Sequence, residues 1–148
     1  MAWTYSRRVK YYETDRMGVV HHSNYLRFLE DARMEWVDKN LLRYSELEKA
    51  GIIIPFVEAH EKFLSFLRFD DPFTVTMRLV KHSPVKFTFE YEITNDDTKD
   101  VCYRATTTHY YAADGEYRPI SMKLRFPELY DKMEAMVEPS GLPEKWIR

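Results

Sequence analysis

A carboxylate, a glycine and a pair of histidines fall close together in the run Thr14-Asp15-Arg16-Met17-Gly18-Val19-Val20-His21-His22-Ser23-Asn24. An apolar, helix-periodic segment starts directly after it. The start of a helix exposes unpaired backbone N–H groups and carries roughly half a unit of positive charge. Such a place polarises a carbonyl oxygen and steadies an oxyanion. A carboxylate on the loop before it, facing the same gap, would supply a nucleophile or a base. Together these are the minimum parts for acyl transfer. Each residue also has an ordinary reading. Asp15 before Gly18 is a common turn arrangement, because an Asp side chain bonds nearby backbone. Adjacent side chains such as His21 and His22 diverge at a helix start, and no Cys, His or Asp pair at ligand spacing accompanies them, so no metal site is expected. His22 fits either a residue that orients Asp15 or substrate, or a hydrogen-bonded structural histidine.

The elements that must hold these residues are readable from periodicity. Residues 5–13 read as a strand, with Tyr5, Val9 and Tyr11 on one face at period two. Residues 24–39 have helical period: Tyr25, Leu29, Ala32 and Trp36 form a stripe that Leu26, Phe28, Met34 and Val37 widen. Ser23 or Asn24 offers the N-cap oxygen. Glu30, Asp31, Glu35 and Asp38 mark the wetter side, and Glu30 and Arg33 are spaced to pair. A short helix over about 41–49 ends at Gly51.

From residue 52 to about 121 the chain is strand-like. Ile52 to Leu67 is an apolar, aromatic run, and Asp70-Asp71-Pro72 is a turn. Phe73, Val75, Met77 and Leu79 alternate with polar residues. Val85, Phe87, Phe89, Tyr91 and Ile93 alternate with Lys86, Thr88, Glu90, Glu92 and Thr94, the clearest strand in the chain. Asn95-Asp96-Asp97-Thr98 turns it back into a strand over 101–111. Pro127 opens a last helix with Leu129, Met133, Met136 and Val137 as its stripe. Residues 139–148 read as a loose tail. Strands that alternate this cleanly have one face to bury, and one long apolar helix is available to cover it. The expected class is α+β, an antiparallel sheet curled around a central helix in one domain over 1–148.

Bulk composition narrows the function classes. The chain has 148 residues, a formal net charge of -2 and 16% aromatic residues. There is no overall basic excess for nucleic acid. The longest apolar stretch, near Gly51 to Val57, is far short of the roughly 20 residues of a membrane helix. Cys102 is the single cysteine, which rules out an intrachain disulfide and fits a buried structural thiol. Nothing at the N-terminus has the apolar core of a signal peptide, so the expected location is cytoplasmic.

The pattern Asp15-x-x-Gly18-Val19-Val20-x-His22-x-x-Tyr25, followed by Phe28-Leu29-Glu30-Asp31-Ala32-Arg33, resembles the signature of the 4-hydroxybenzoyl-CoA thioesterase family of hotdog-fold proteins. The Tol-Pal-associated acyl-CoA thioesterases of bacteria belong to the same group. The likeness is strong over these residues and weaker through Phe69-Asp70-Asp71-Pro72 to about residue 120. It implies the hotdog fold, and hydrolysis of a small aliphatic or aromatic acyl-CoA to free acid and CoA without a cofactor. Asp15 would attack the thioester carbonyl or activate a water. The backbone N–H at or next to His22 would hold the carbonyl oxygen, with Gly18, Val20 and Tyr25 at the substrate. The family builds its sites at a subunit interface, which implies a homodimer or homotetramer with sheets joined edge to edge. Where many members carry a small residue before Gly18, this chain has Met17, which bears on the acyl group rather than the reaction. A non-catalytic acyl-CoA-binding protein is the alternative, and a pure binder has no need of the Asp15 carboxylate. A hotdog dehydratase would call for a different arrangement around His. CoA phosphates call for cations, and Lys81, Lys86, Arg104, Lys123 and Arg125 are candidates by type alone.

Overall fold

The computed structural model describes residues 2–146, with Lys145 by its backbone alone. Its centre is α1 (Ser23–Asn40), an 18-residue helix and so about 27 Å long. The helix forms because its apolar residues recur at helical spacing, and it is stable because a sheet covers them. Phe28, Leu29 and Ala32 are fully buried, and Tyr25, Trp36 and Val37 nearly so. Leu26 and Met34 differ from expectation. They sit at the margin of the stripe and are 36% and 38% exposed.

The sheet that covers α1 has five antiparallel strands in the order β1-β4-β5-β6-β3. These are β1 (Trp3–Arg8), β3 (Phe56–Phe63), β4 (Pro72–His82), β5 (Lys86–Asn95) and β6 (Val101–Tyr110). Inward residues Phe73, Val75, Met77, Leu79, Phe89, Tyr91, Ile93, Tyr103 and Ala105 are at most 1% exposed. Phe28 of α1 stacks on Phe73 at 4.6 Å, and Trp36 meets Phe89 edge-on at 5.0 Å. Register shifts at Phe56/Glu58, Leu79/Lys81 and Ile93/Thr94 bend the strands around the helix. A two-stranded ribbon of β2 (Ile52–Ile53) and β7 (Ala112–Ala113) and the helices α2 (Tyr44–Lys49), α3 (Met122–Arg125) and α4 (Pro127–Glu134) close one end.

Three expectations need correction. The first strand stops at Arg8, and Tyr11–Glu13 is a 3-10 turn; Tyr11 consequently points outward, 78% exposed. The last helix ends at Glu134, before Met136 and Val137, and α3 precedes it. The tail is not loose up to residue 146. It crosses the outer face of the sheet, where the Ser140 hydroxyl and the Gly141 N–H both donate to the Glu90 carboxylate. Glu90 is thereby buried to 2% exposure on the face its alternation assigned to solvent. Trp146 is half-buried, while Ile147 and Arg148 lie outside the described residues. No helix is long and apolar enough to cross a membrane.

Candidate active site

The segment between β1 and α1 folds as a tight hairpin. The Asp15 N–H donates to the Val19 carbonyl at 2.8 Å, Thr14 bridges Val20, and the His21 N–H donates to the Glu13 carbonyl at 2.9 Å. The turn closes with the Gly18 N–H on the Asp15 carbonyl at 3.0 Å. Gly18 has φ +81°, a left-handed conformation that a side chain would strain. The hairpin is tied to the core by the Val20 N–H on the Leu67 carbonyl at 2.8 Å.

Asp15 is half-buried at this turn. Its Oδ1 accepts the Met17 N–H at 2.8 Å, and its Oδ2 has no partner among the described residues. Two rungs of the ladder separate the Asp15–Val19 pair from the Glu13–His21 pair, roughly 7 Å along the strands. The helix starts one residue beyond His21. His22, not Ser23 or Asn24, is the N-cap, and no side chain caps the helix. The reason is that both candidate side chains are occupied. The Ser23 hydroxyl bonds His21 Nδ1 at 2.8 Å, and Asn24 Nδ2 donates to the Glu13 carbonyl at 2.8 Å. The Ser23 N–H turns to His21 Nδ1 and the Asn24 N–H to the His21 carbonyl. Among the described residues the His22 N–H finds no acceptor, so the hairpin carries a free carboxylate oxygen near one end and a free helix-start N–H at the other.

The other expected site residues are placed differently from one another. The His22 ring is exposed and lies tilted against His21 at 4.1 Å, with no hydrogen bond to Asp15 among the described residues. Val20 and Tyr25 are buried, 3% and 2% exposed. Tyr25 stacks on Tyr103 at 4.8 Å and meets Phe63 edge-on at 5.3 Å. Burial pushes the Tyr25 hydroxyl up to about 12, although the Leu67 N–H opposes the rise. Glu30 and Arg33 do not pair: the Arg33 guanidinium donates to the Tyr91 hydroxyl at 3.2 Å. That hydroxyl bonds Thr107, which bonds His109 Nε2 at 2.9 Å. Burial and the nearby Arg33 cation push His109 down to about 3, so it is neutral at any ordinary pH. Cys102 is 1% exposed and its thiol is pushed up, chiefly by burial, as fits an inert structural residue.

Glu13, Arg7 and Asn24 hold the hairpin; sequence reading passed over the first two and gave Asn24 only a capping role. The Glu13 carboxylate, 4% exposed, takes two bonds from the Arg7 guanidinium at 2.8 and 2.6 Å and one from the Lys10 N–H at 2.7 Å. Arg7 in turn lies over the rings of Phe28 and Phe73. One buried residue therefore links β1, the 3-10 turn, the hairpin and the first turn of α1. The signal available was Lys10-x-x-Glu13, a capping-box spacing around the 3-10 turn.

Asp15 and His22 lie on an open surface in the single chain, and a groove of about 990 Å³ lies elsewhere, over the outer sheet face between β3, the β4–β5 hairpin and the tail. Among the cations proposed by type, Lys81 and Lys86 line that groove, whereas Arg104 is paired with Glu92 at 2.9 Å. Large apolar side chains are exposed around the hairpin and along β3: Met17 80%, Tyr12 73%, Phe66 62%, Phe69 53%, Val57 52% and Phe63 46%. β3 is the outermost strand next to β6, with its other edge unpaired among the described residues.

Comparison with known proteins bears on the family and the fold. A family model described as the thioesterase-like superfamily matches residues 9–135. The 1,4-dihydroxy-2-naphthoyl-CoA hydrolase of Synechocystis is 27% identical over 108 residues, covering 72% of this chain and 78% of that protein. The solved structure of the DHNA-CoA thioesterase of Staphylococcus aureus superposes with a TM-score of 0.83 at 27% identity, covering 90% of this chain and 91% of that one. A hypothetical protein of Aquifex aeolicus superposes with a TM-score of 0.78 at 33% identity, covering 86% of this chain and 98% of that one. The curved sheet around α1 is the hotdog fold, and with its match running from the end of β1 to the end of α4 the chain belongs to the thioesterase-like superfamily.

Proposed function

We propose that this protein is an acyl-CoA thioesterase, with Asp15 as its catalytic carboxylate. The observation that carries the reading is the hairpin itself, which holds a carboxylate with one free oxygen and an unpaired N–H at the start of a buried helix. The His22 N–H would receive the carbonyl oxygen, and the helix dipole would favour the charge that develops there. Asp15 would attack the carbonyl carbon, or take a proton from the water that does. Thiolate is a good leaving group, so no third catalytic side chain and no cofactor is required. The relatives named for hydrolysis of an acyl-CoA support this reading. The finer likeness, to the 4-hydroxybenzoyl-CoA and Tol-Pal-associated enzymes, is part of the proposal, as is a cytoplasmic location.

The site in one chain has a floor and no roof. The open rim of β3 and its exposed apolar residues call for a covering surface. A second copy joined along β3 would extend the sheet and bring side chains over the hairpin from across the junction. Gly18 would then give the thioester room at the turn, and Val20 and Tyr25 would back the pocket from the core.

The test is thiol release from a panel of aliphatic and aromatic acyl-CoAs, with the solution mass measured on the same sample. Hydrolysis of at least one thioester by a dimer or tetramer is the expected result. A chain that hydrolyses none overturns the enzymatic reading, and a fully active monomer overturns the shared site.

A further inference from the structure

Asn24 has the chemistry of a helix cap and does not cap. It sits in the first turn of α1 and is 7% exposed. A buried amide is costly unless it is hydrogen-bonded. Its Nδ2 reaches back 11 residues and donates to the Glu13 carbonyl at 2.8 Å. Only the NH2 end of an amide can serve a carbonyl, so this contact fixes the orientation of the side chain. The same carbonyl already takes the His21 N–H at 2.9 Å. The hairpin is therefore paired without Asn24, and what the amide adds is a direct tie from the first hairpin strand to the helix. Asp15 follows Glu13 by two residues on that strand, and His22 precedes Asn24 by two at the helix start. Glu13 is itself immobilised, since its carboxylate is held by Arg7 and by the Lys10 N–H. The tie thus runs from a fixed point beside the carboxylate to the turn that carries the free N–H.

We infer that Asn24 is a positioning residue of the proposed site: its amide sets the separation of the Asp15 carboxylate from the His22 N–H. This rests on the thioesterase reading above. One backbone bond at the open end of the hairpin leaves the helix start free to tilt against the strand. A second donor on the same carbonyl, from further along the helix, removes that freedom. Alignment matters because a misplacement of about 1 Å costs on the order of 10²-fold in rate. Substrate binding is expected to survive loss of the amide. Val20 is held by its own bond to the Leu67 carbonyl, and Tyr25 by its stack on Tyr103.

The experiment measures kcat and KM on one accepted acyl-CoA for the parent, Asn24→Leu, Asn24→Ala and Asp15→Asn. Each Asn24 variant is also combined with Asp15→Asn, and thermal unfolding is followed on every sample. Asn24→Leu removes the donor at similar size. Asn24→Ala keeps a good helix former and lets water reach the Glu13 carbonyl, so it carries the test if Asn24→Leu does not fold. Both are expected to lower kcat by roughly 10- to 100-fold with KM within about threefold of the parent. In the Asp15→Asn background the same substitutions change the residual rate by less than about threefold, because no carboxylate is left to align. A merely structural role would carry the same loss into both backgrounds. An equal loss in the two backgrounds, a loss confined to KM, or parental kcat in a folded Asn24 variant overturns the inference and leaves the thioesterase reading intact. A parent that hydrolyses none of the thioesters tested removes both.

Discussion

Asp15→Asn will lower turnover on any accepted acyl-CoA by about 10³-fold or more, as expected for removal of a group that takes part in the chemistry. The substitution is nearly isosteric. The amide oxygen of Asn can still accept the Met17 N–H that Asp15 Oδ1 accepts at 2.8 Å, and the Asp15 backbone bonds to Val19 and Gly18 are untouched. The turn therefore survives and thermal unfolding stays close to that of the parent. What is lost is the negative charge on the free oxygen. Steady-state kinetics with a unfolding curve on the same preparation separate the two effects. Equal turnover in the two proteins refutes the role of Asp15.

Glu13→Gln will cost on the order of 3–5 kcal/mol of stability at neutral pH, the usual result of stripping one partner from a buried ion pair. The Arg7 side chain is 19% exposed and Glu13 6%, so the guanidinium left behind has little water to turn to. A loss of that size is a large share of the 5–15 kcal/mol of a typical domain. The pH dependence follows. Burial raises the Glu13 carboxyl, but the Arg7 guanidinium and the Lys10 N–H outweigh it, and the net position is below the ordinary carboxylate value. The contribution is therefore complete above the unfolded-state value, about 4.3, and fades as pH falls through the lower folded-state value. Urea unfolding at pH 7 and near pH 3 should show a gap between parent and Glu13→Gln that narrows in acid. The double variant Arg7→Met, Glu13→Leu should recover much of the loss, since apolar replacement of a whole buried pair is often neutral or better. A gap of under 1 kcal/mol at pH 7 would show that the pair does not hold the hairpin.

What periodicity could show, it showed well. β5 alternates over its whole length because one face packs on α1, and Phe87, Phe89, Tyr91 and Ile93 are all buried. The α1 stripe appeared for the same reason. The Asp15-to-Gly18 turn was legible, and its turn reading holds in the geometry: Oδ1 accepts the Met17 N–H, while Oδ2 has no partner among the described residues and leaves the catalytic reading to the Asp15→Asn test. The misses share a cause. Tyr11 continued a period-two pattern that the 3-10 turn broke, and that turn is made by bonds to Lys10 and Tyr11 carbonyls and by Glu13 folding back on Arg7. Ser23 and Asn24 have the right chemistry to cap α1, but better-placed acceptors and donors at His21 and Glu13 took them. Glu90 read as a solvent residue because its cover arrives fifty residues later in the chain, at Ser140. For Asn24 and Glu90 the deciding partner lies 11 and 50 residues away, and for Tyr11 and Ser23 it is one specific neighbouring carbonyl or ring nitrogen; propensity and periodicity sense neither.

The rim of β3 sets a further condition on assembly. Any extended polypeptide could hydrogen-bond to it, which is the hazard of an uncapped strand. Its outer charges run acidic, imidazole, basic at Glu58, His60 and Lys62. Read backwards on a second antiparallel copy centred on His60, that order is complementary, with each acid opposite a base. A slip of four residues in either direction sets like against like, Glu58 on Glu58 or Lys62 on Lys62, an arrangement that cross-strand repulsion penalises. In the proposed assembly the three residues would act as a crude key, admitting a twin in one alignment and turning away misaligned neighbours.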